Sequence, residues 1–132
     1  MDKTDFSDRS ELARSIVALL DSWGVDTDAQ IGLLALPTDT RAGAIRQYRQ
    51  GKPLPELAAL DERIEHLLGI ADALRTSYPH TAQGGAIWMN RVNARFGDRT
   101  PLEAMLQDGM AGIFAVRTHL DCAYDWYVDS RR

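Results

Sequence analysis

The chain has 132 residues, 45% of them hydrophobic and 26% charged, with 19 acidic against 15 basic side chains and a net charge of -4. That is enough chain to bury a real core in one compact unit, and no apolar run approaches the ~18 residues of a membrane span. The negative balance argues against a generalist nucleic-acid binder, and the lone cysteine, Cys122, excludes an intramolecular disulfide and suits a reducing cytoplasm.

The N-terminus, M-D-K-T-D-F-S-D-R-S, is acidic and polar and reads as neither a signal nor a transit peptide. The spacing of Leu12, Ile16, Leu19, Leu20 and Trp23 predicts a first helix over 8–22, ended by Gly24. Thr27-Asp28-Ala29-Gln30 has the form of a capping box and predicts a short helix over 28–36, stopped by Pro37. Thr38 or Asp39 then caps a third helix over 39–49 with Ala42, Ile45 and Tyr48 inward, before Gly51 and Pro53 punctuate the chain. The longest helix, predicted over 55–78, carries Leu57, Leu60, Ile64, Leu67, Ala71, Leu74 and Tyr78 at alternating spacings of three and four. A core helix gripped by its neighbours explains that seam; a paired helix at a dimer interface is the other reading.

Beyond Pro79, Gly84-Gly85 opens a helix over 82–91 carrying Ile87 and Trp88. Thr100-Pro101-Leu102-Glu103 is a helix start with a mechanism: a capping hydroxyl, a proline at the first position where no N–H is missed, and a glutamate that can reach back. That helix covers 101–106. A final one over 109–126 places Ile113, Val116, Leu120 and Ala123 on one stripe. No stretch alternates with period two, and no repeat or low-complexity linker divides the chain, so the fold class is all-α with about seven helices. A functional boundary near Pro79 separates residues 1–79, with the long central helix, from residues 80–132.

Enzyme chemistry finds little support. There is no G-x-S-x-G, GxGxxG, Walker loop, C-x-x-C or H-E-x-x-H, so neither a catalytic site, a cofactor nor a metal is expected. His119, Cys122 and Asp125 share a helical row, a chance of spacing, and Asp61, Glu62 and Glu65 read as a solvated face. The two short helices before Gly51 have helix-turn-helix proportions, and Arg41, Arg46, Arg49 and Lys52 form an acid-free cluster suited to phosphate and guanine contacts. An Arg-bearing surface helix explains the same residues without DNA. The tail, Tyr124-Asp125-Trp126-Tyr127 to Arg131-Arg132, is either a last turn packed on its own core or an anchor for a partner.

The spacing of Trp88, Asn93, Phe96-Gly97, Arg99-Thr100-Pro101-Leu102 and Gly109 resembles the C-terminal toxin-binding domain of the MbcA/ParS/Xre antitoxins. Trp23-Gly24, Leu33-Leu34, Tyr48-Arg49-Gln50-Gly51, Arg63, Leu67-Leu68-Gly69-Ile70, Ala73-Leu74 and Tyr78-Pro79-His80 resemble the Xre-like region that precedes it. The likeness covers nearly the whole chain. Val92 and Asp98 depart from it, standing where many relatives have a proline and the second of two glycines. The resemblance implies an antitoxin of a RES-Xre pair, a cytoplasmic homodimer that covers the NAD site of a RES-domain toxin and binds operator DNA. It implies toxin contacts at Trp88, Asn93, Arg99, Trp126, Tyr127, Arg131 and Arg132, with one of the terminal arginines taking the place of a phosphate. The rival reading is a stand-alone helix-turn-helix regulator or adaptor with a different protein partner.

Overall fold

A computed structural model describes residues 7–78 and 83–130, with side chains through residue 122. Among these residues the chain forms seven α-helices, one 3-10 turn and no strand beyond a single bridge between Asn93 and Arg99. The helices are α1 (Arg9–Ser22), α2 (Thr27–Leu33), α3 (Ala42–Arg49), α4 (Ala58–Ser77), α5 (Gly84–Met89), α6 (Pro101–Asp108) and α7 (Met110–Ser130). The all-α expectation holds.

Helix α1 buries Leu12, Ile16 and Leu20 of the predicted stripe, with Ala13 and Val17 beside them and Trp23 just past its end, while Leu19 is only partly buried. Asp8 caps it by accepting from the Glu11 N–H at 2.9 Å. Three helices end in the same way: a residue in the left-handed region, with the next N–H reaching back to the carbonyl five residues earlier. Val25 bonds Leu20, Leu36 bonds Ile31 and Lys52 bonds Gln47. These are Schellman ends, which satisfy carbonyls that the helix leaves open. Gly24 and Gly51 supply the left-handed residue for α1 and α3, but Ala35 does so for α2 at φ +57°. Helix α2 therefore stops at Leu33, ahead of Pro37, and the turn places both Leu34 and Leu36 in the core.

Its start also differs from the expectation. Asp26, not Thr27, is the cap, accepting from Ala29 N–H at 2.9 Å. Gln30 does not close a capping box; it is fully buried and donates to the Asp21 carboxylate at 2.7 Å and the Val25 carbonyl at 3.0 Å. Residues 34–41 form a longer connection than a tight turn. Thr38 and Asp39 sit inside a turn closed by Thr40 N–H on the Pro37 carbonyl, so neither caps α3. That helix begins at Ala42 behind Arg41, with Ala42 exposed and Ile45 and Tyr48 buried.

Helix α4 is the centre of the fold, touching α1, α5 and α7. Leu60, Ile64, Leu67, Ala71 and Leu74 are buried as the seam requires, and Ile70 joins them because neighbours on two sides widen the buried face. Residues 55–57 stay outside the helix because Arg9 takes the Pro55 carbonyl and pairs with Asp61 at 2.8 Å. Asp61 is therefore a fastening between α1 and α4 and not part of a wholly solvated face. Leu57 and Tyr78, at the two ends of the seam, are exposed.

Helices α4 and α7 run side by side in the same direction: Arg63 lies near Gly109, His66 meets Phe114, and both His66 and Gly69 meet Arg117. Parallel neighbours need a crossover, and α5, the 3-10 turn and α6 provide it. Helix α6 folds back on α7 through Gly109 at φ +64°. The two backbones approach so closely that a Cβ on Gly112 would overlap the Ala104 carbonyl. One core, continuous from Leu12 to Leu120, runs through both parts of the chain. None of the described helices is long and apolar enough to cross a membrane.

Candidate functional site

The crossover between α5 and α6 is where the residues singled out in the C-terminal part converge. Asn93 precedes the 3-10 turn Ala94–Phe96 and caps it, accepting from the Arg95 N–H at 3.0 Å. Its own N–H donates to the Arg99 carbonyl at 3.0 Å, closing a small loop. Closure needs two successive left-handed residues, Gly97 at φ +71° and Asp98 at φ +63°. Aspartate is one of the few residues other than glycine that visits this region readily. The loop thus keeps a backbone suited to two glycines.

Arg99 holds the loop against α6. Its Nε donates to the Phe96 carbonyl at 2.8 Å, and its two terminal nitrogens reach Asp108 at 2.9 and 3.1 Å and Gln107 at 3.1 Å. This forked bond draws the Asp108 carboxyl below its usual range and raises the Arg99 guanidinium. At the start of α6 both halves of the expected capping box form: Glu103 N–H to the Thr100 hydroxyl at 2.9 Å, and Thr100 N–H to the Glu103 carboxylate at 2.8 Å. Asn93 and Arg99 are thereby engaged within the chain, where they shape the loop.

That loop presents Phe96 to a ring cluster. Trp88 stacks on His119 with centroids 6.2 Å apart and planes 9° from parallel, while Phe96 sets its edge against both, at 6.4 and 5.7 Å. Burial lowers the affinity of His119 for a proton, and the positive charge of Arg95 lowers it further. Beside the cluster lies an open groove of about 840 Å³, walled by Arg95 and Phe96 on one side and by Phe114, Thr118, His119 and Cys122 of α7 on the other. Phe114 is 58% exposed and also sets an edge against His66, whose Nδ1 lies 3.0 Å from Arg117.

Sequence reasoning passed over Phe114, His66 and Arg95. The available signal was the row Phe114, Thr118, Cys122 at i, i+4, i+8, off the buried stripe Ile113, Val116, Leu120. Trp126 and Tyr127 lie in the last turns of α7 but their side chains are outside the described residues, as are Arg131 and Arg132 altogether.

The cationic cluster of the N-terminal part divides in two. Arg49 is paired with Asp21 at 2.8 Å, which holds the Asp21 carboxyl below its usual range, and Lys52 donates to Gln47 at 3.1 Å. Arg41, just ahead of α3, and Arg46, on it, are exposed and make no ion pair or hydrogen bond through their side chains among the described residues. Asn90 Nδ2 donates to the Trp23 carbonyl at 2.9 Å and so ties this part to the C-terminal one, while within the N-terminal part Arg63 of α4 donates to the Leu33 carbonyl at 3.1 Å. No group of three or more His, Cys, Asp or Glu side chains suited to a metal ion occurs among the described residues.

Two comparisons bear on this surface. Residues 73–123 match the model of the antitoxin Xre/MbcA/ParS C-terminal toxin-binding domain, a span that starts inside α4 and takes in the loop, the ring cluster and the groove. Over 103 residues the chain is 33% identical to the uncharacterized protein y4oB of Sinorhizobium fredii (strain NBRC 101917 / NGR234), covering 78% of this chain and 76% of that relative. The chain belongs to the Xre/MbcA/ParS antitoxin family, and residues 73–123 are the toxin-binding domain through which it neutralises a toxin.

Proposed function

We propose that the toxin is a RES-domain enzyme that consumes NAD or transfers ADP-ribose from it, and that the chain silences it by covering the NAD site. The observation that carries this reading is the course of α7. The helix leaves the toxin-binding domain at residue 123 and continues to Ser130, ten residues past Leu120, the last core side chain among those described. At the helical rise those ten residues span roughly 15 Å, long enough to reach over a neighbouring active site. The segment carries Tyr124, Trp126 and Tyr127 and leads into Arg131-Arg132, residue types that dominate interface hot spots and suit a site built for phosphates. The mechanism is occlusion, so no residue of this chain forms or breaks bonds and no cofactor is required.

Residues 1–79 serve as the second functional part, an Xre-like helix-turn-helix region used for operator binding and autoregulation, and the antitoxin acts as a homodimer. Arg41 and Arg46, with Lys52 beside them, are the DNA contacts that this reading favours, since Arg49 is tied to Asp21. The test is co-expression with a RES-domain toxin, with cellular NAD measured. Preserved NAD and a stable complex are expected. Unprotected NAD, or two proteins that do not associate, overturns the RES reading.

A further inference from the structure

Resting on that reading, we infer that the groove between the 3-10 turn and α7 receives an apolar side chain of the toxin flanked by a carboxylate, the carboxylate pairing with Arg95. All the residues that wall the groove fall within the toxin-binding domain. The guanidinium of Arg95 makes no hydrogen bond or ion pair among the described residues, in a chain whose other loop arginine, Arg99, is fully engaged. An unpaired cation at the lip of an otherwise apolar trough calls for an anion next to something greasy. The floor meets the second half of that demand. Phe114 lies largely bare on the groove with the buried Phe96 lining it beside the 3-10 turn, and an exposed aromatic such as Phe114 is costly in water unless a partner covers it. Thr118 and Cys122 add small, weakly polar side chains that leave room for the incoming group.

The walls are also held before the partner arrives. Asn93 and Arg99 clamp the 3-10 turn, and the Trp88–His119 stack supports Phe96 from behind. Little ordering remains to be done on binding, which favours affinity. The groove and the end of α7 thus divide the work: the groove fixes the toxin's position, and the helix end reaches its active site from there.

The experiment is titration calorimetry of the purified full chain against the purified RES-domain toxin, using Arg95→Glu, Phe114→Ser and a remote control on the exposed face of α1, Ala18→Glu. Circular dichroism checks each fold and light scattering measures the mass of each variant alone. Arg95→Glu and Phe114→Ser should each weaken binding at least tenfold while the control stays within twofold of the parent. Reversing the matching toxin carboxylate to arginine should restore binding to Arg95→Glu. Folded variants that bind within twofold of the parent overturn the inference. So does a result in which the substitutions change the mass of the chain alone and spare toxin binding, since the groove is then a contact between two copies. Should the parent chain itself fail to bind, the RES reading falls and takes this inference with it, a result distinct from failure of the groove variants alone.

Discussion

Single residues carry costs in this fold that are out of proportion to their size. Ala35 adopts a left-handed backbone to end α2, a conformation that costs an L-residue roughly 1–2 kcal/mol over the right-handed one. Ala35→Gly removes that penalty but adds freedom to the unfolded chain, so a net gain of about 0.5 kcal/mol is expected from urea unfolding. Gly112 is the opposite case. Its missing side chain lets α6 and α7 touch backbone to backbone, and Gly112→Ala should destabilise by about 1 to 3 kcal/mol through overpacking. His119 links residue to pH. Burial and Arg95 hold its folded-state proton affinity below the unfolded value of 6.5, so between those two values the unfolded chain binds more protons. Its contribution is complete above the unfolded value and is lost as pH falls through the folded one. The melting temperature of the parent chain should therefore drop more between pH 7.5 and 5 than that of His119→Phe, which keeps a ring on Trp88 but cannot titrate. Equal drops would show that His119 is not the titrating group.

At the scale of elements, legibility follows the range of the interactions that decide each boundary. The start of α6 could be read from four adjacent letters because Thr100 and Glu103 satisfy each other's backbone within one turn. The helical type of every segment was equally plain, since spacing alone specifies which side chains can share a face. Helix α2 was misplaced at both ends for local but competing reasons. Asp26 and Thr27 are both good caps, and Gln30 is drawn inward by the Asp21 carboxylate and by the Val25 carbonyl in the connection after α1. An alanine in the left-handed region gives no warning in the sequence. The site residues were harder still. Arg99 looks like a free contact until α6 folds back and brings Asp108 and Gln107 to it, and Phe114 declares itself only once the direction of α7 along α4 is known. Helix α3 carries the prediction for this scale. On the proposal that residues 1–79 bind operator DNA, replacing Arg41 and Arg46 together by alanine should abolish that binding and flatten its salt dependence without loss of fold, because neither side chain is engaged elsewhere among the described residues. Unchanged binding in a mobility-shift titration would move the DNA contacts off α3.

For the whole molecule, one core runs through the described residues from α1 to α7, and α4 packs against both of those helices. The family's domain accounts for toxin binding; the silencing proposed above comes from the end of α7 laid over the toxin's NAD site. Removing residues 127–132 separates the two, because the stripe Ile113, Val116, Leu120 and the groove remain intact. The decisive measurement is cellular NAD in a strain expressing the RES-domain toxin with this truncated chain, alongside the melting temperature of the truncated protein and its capture by the toxin. The account predicts a folded chain that still binds the toxin, through its groove, yet lets NAD fall. A folded truncated chain that binds and protects NAD as fully as the parent would contradict it, and would place inhibition on the domain surface itself.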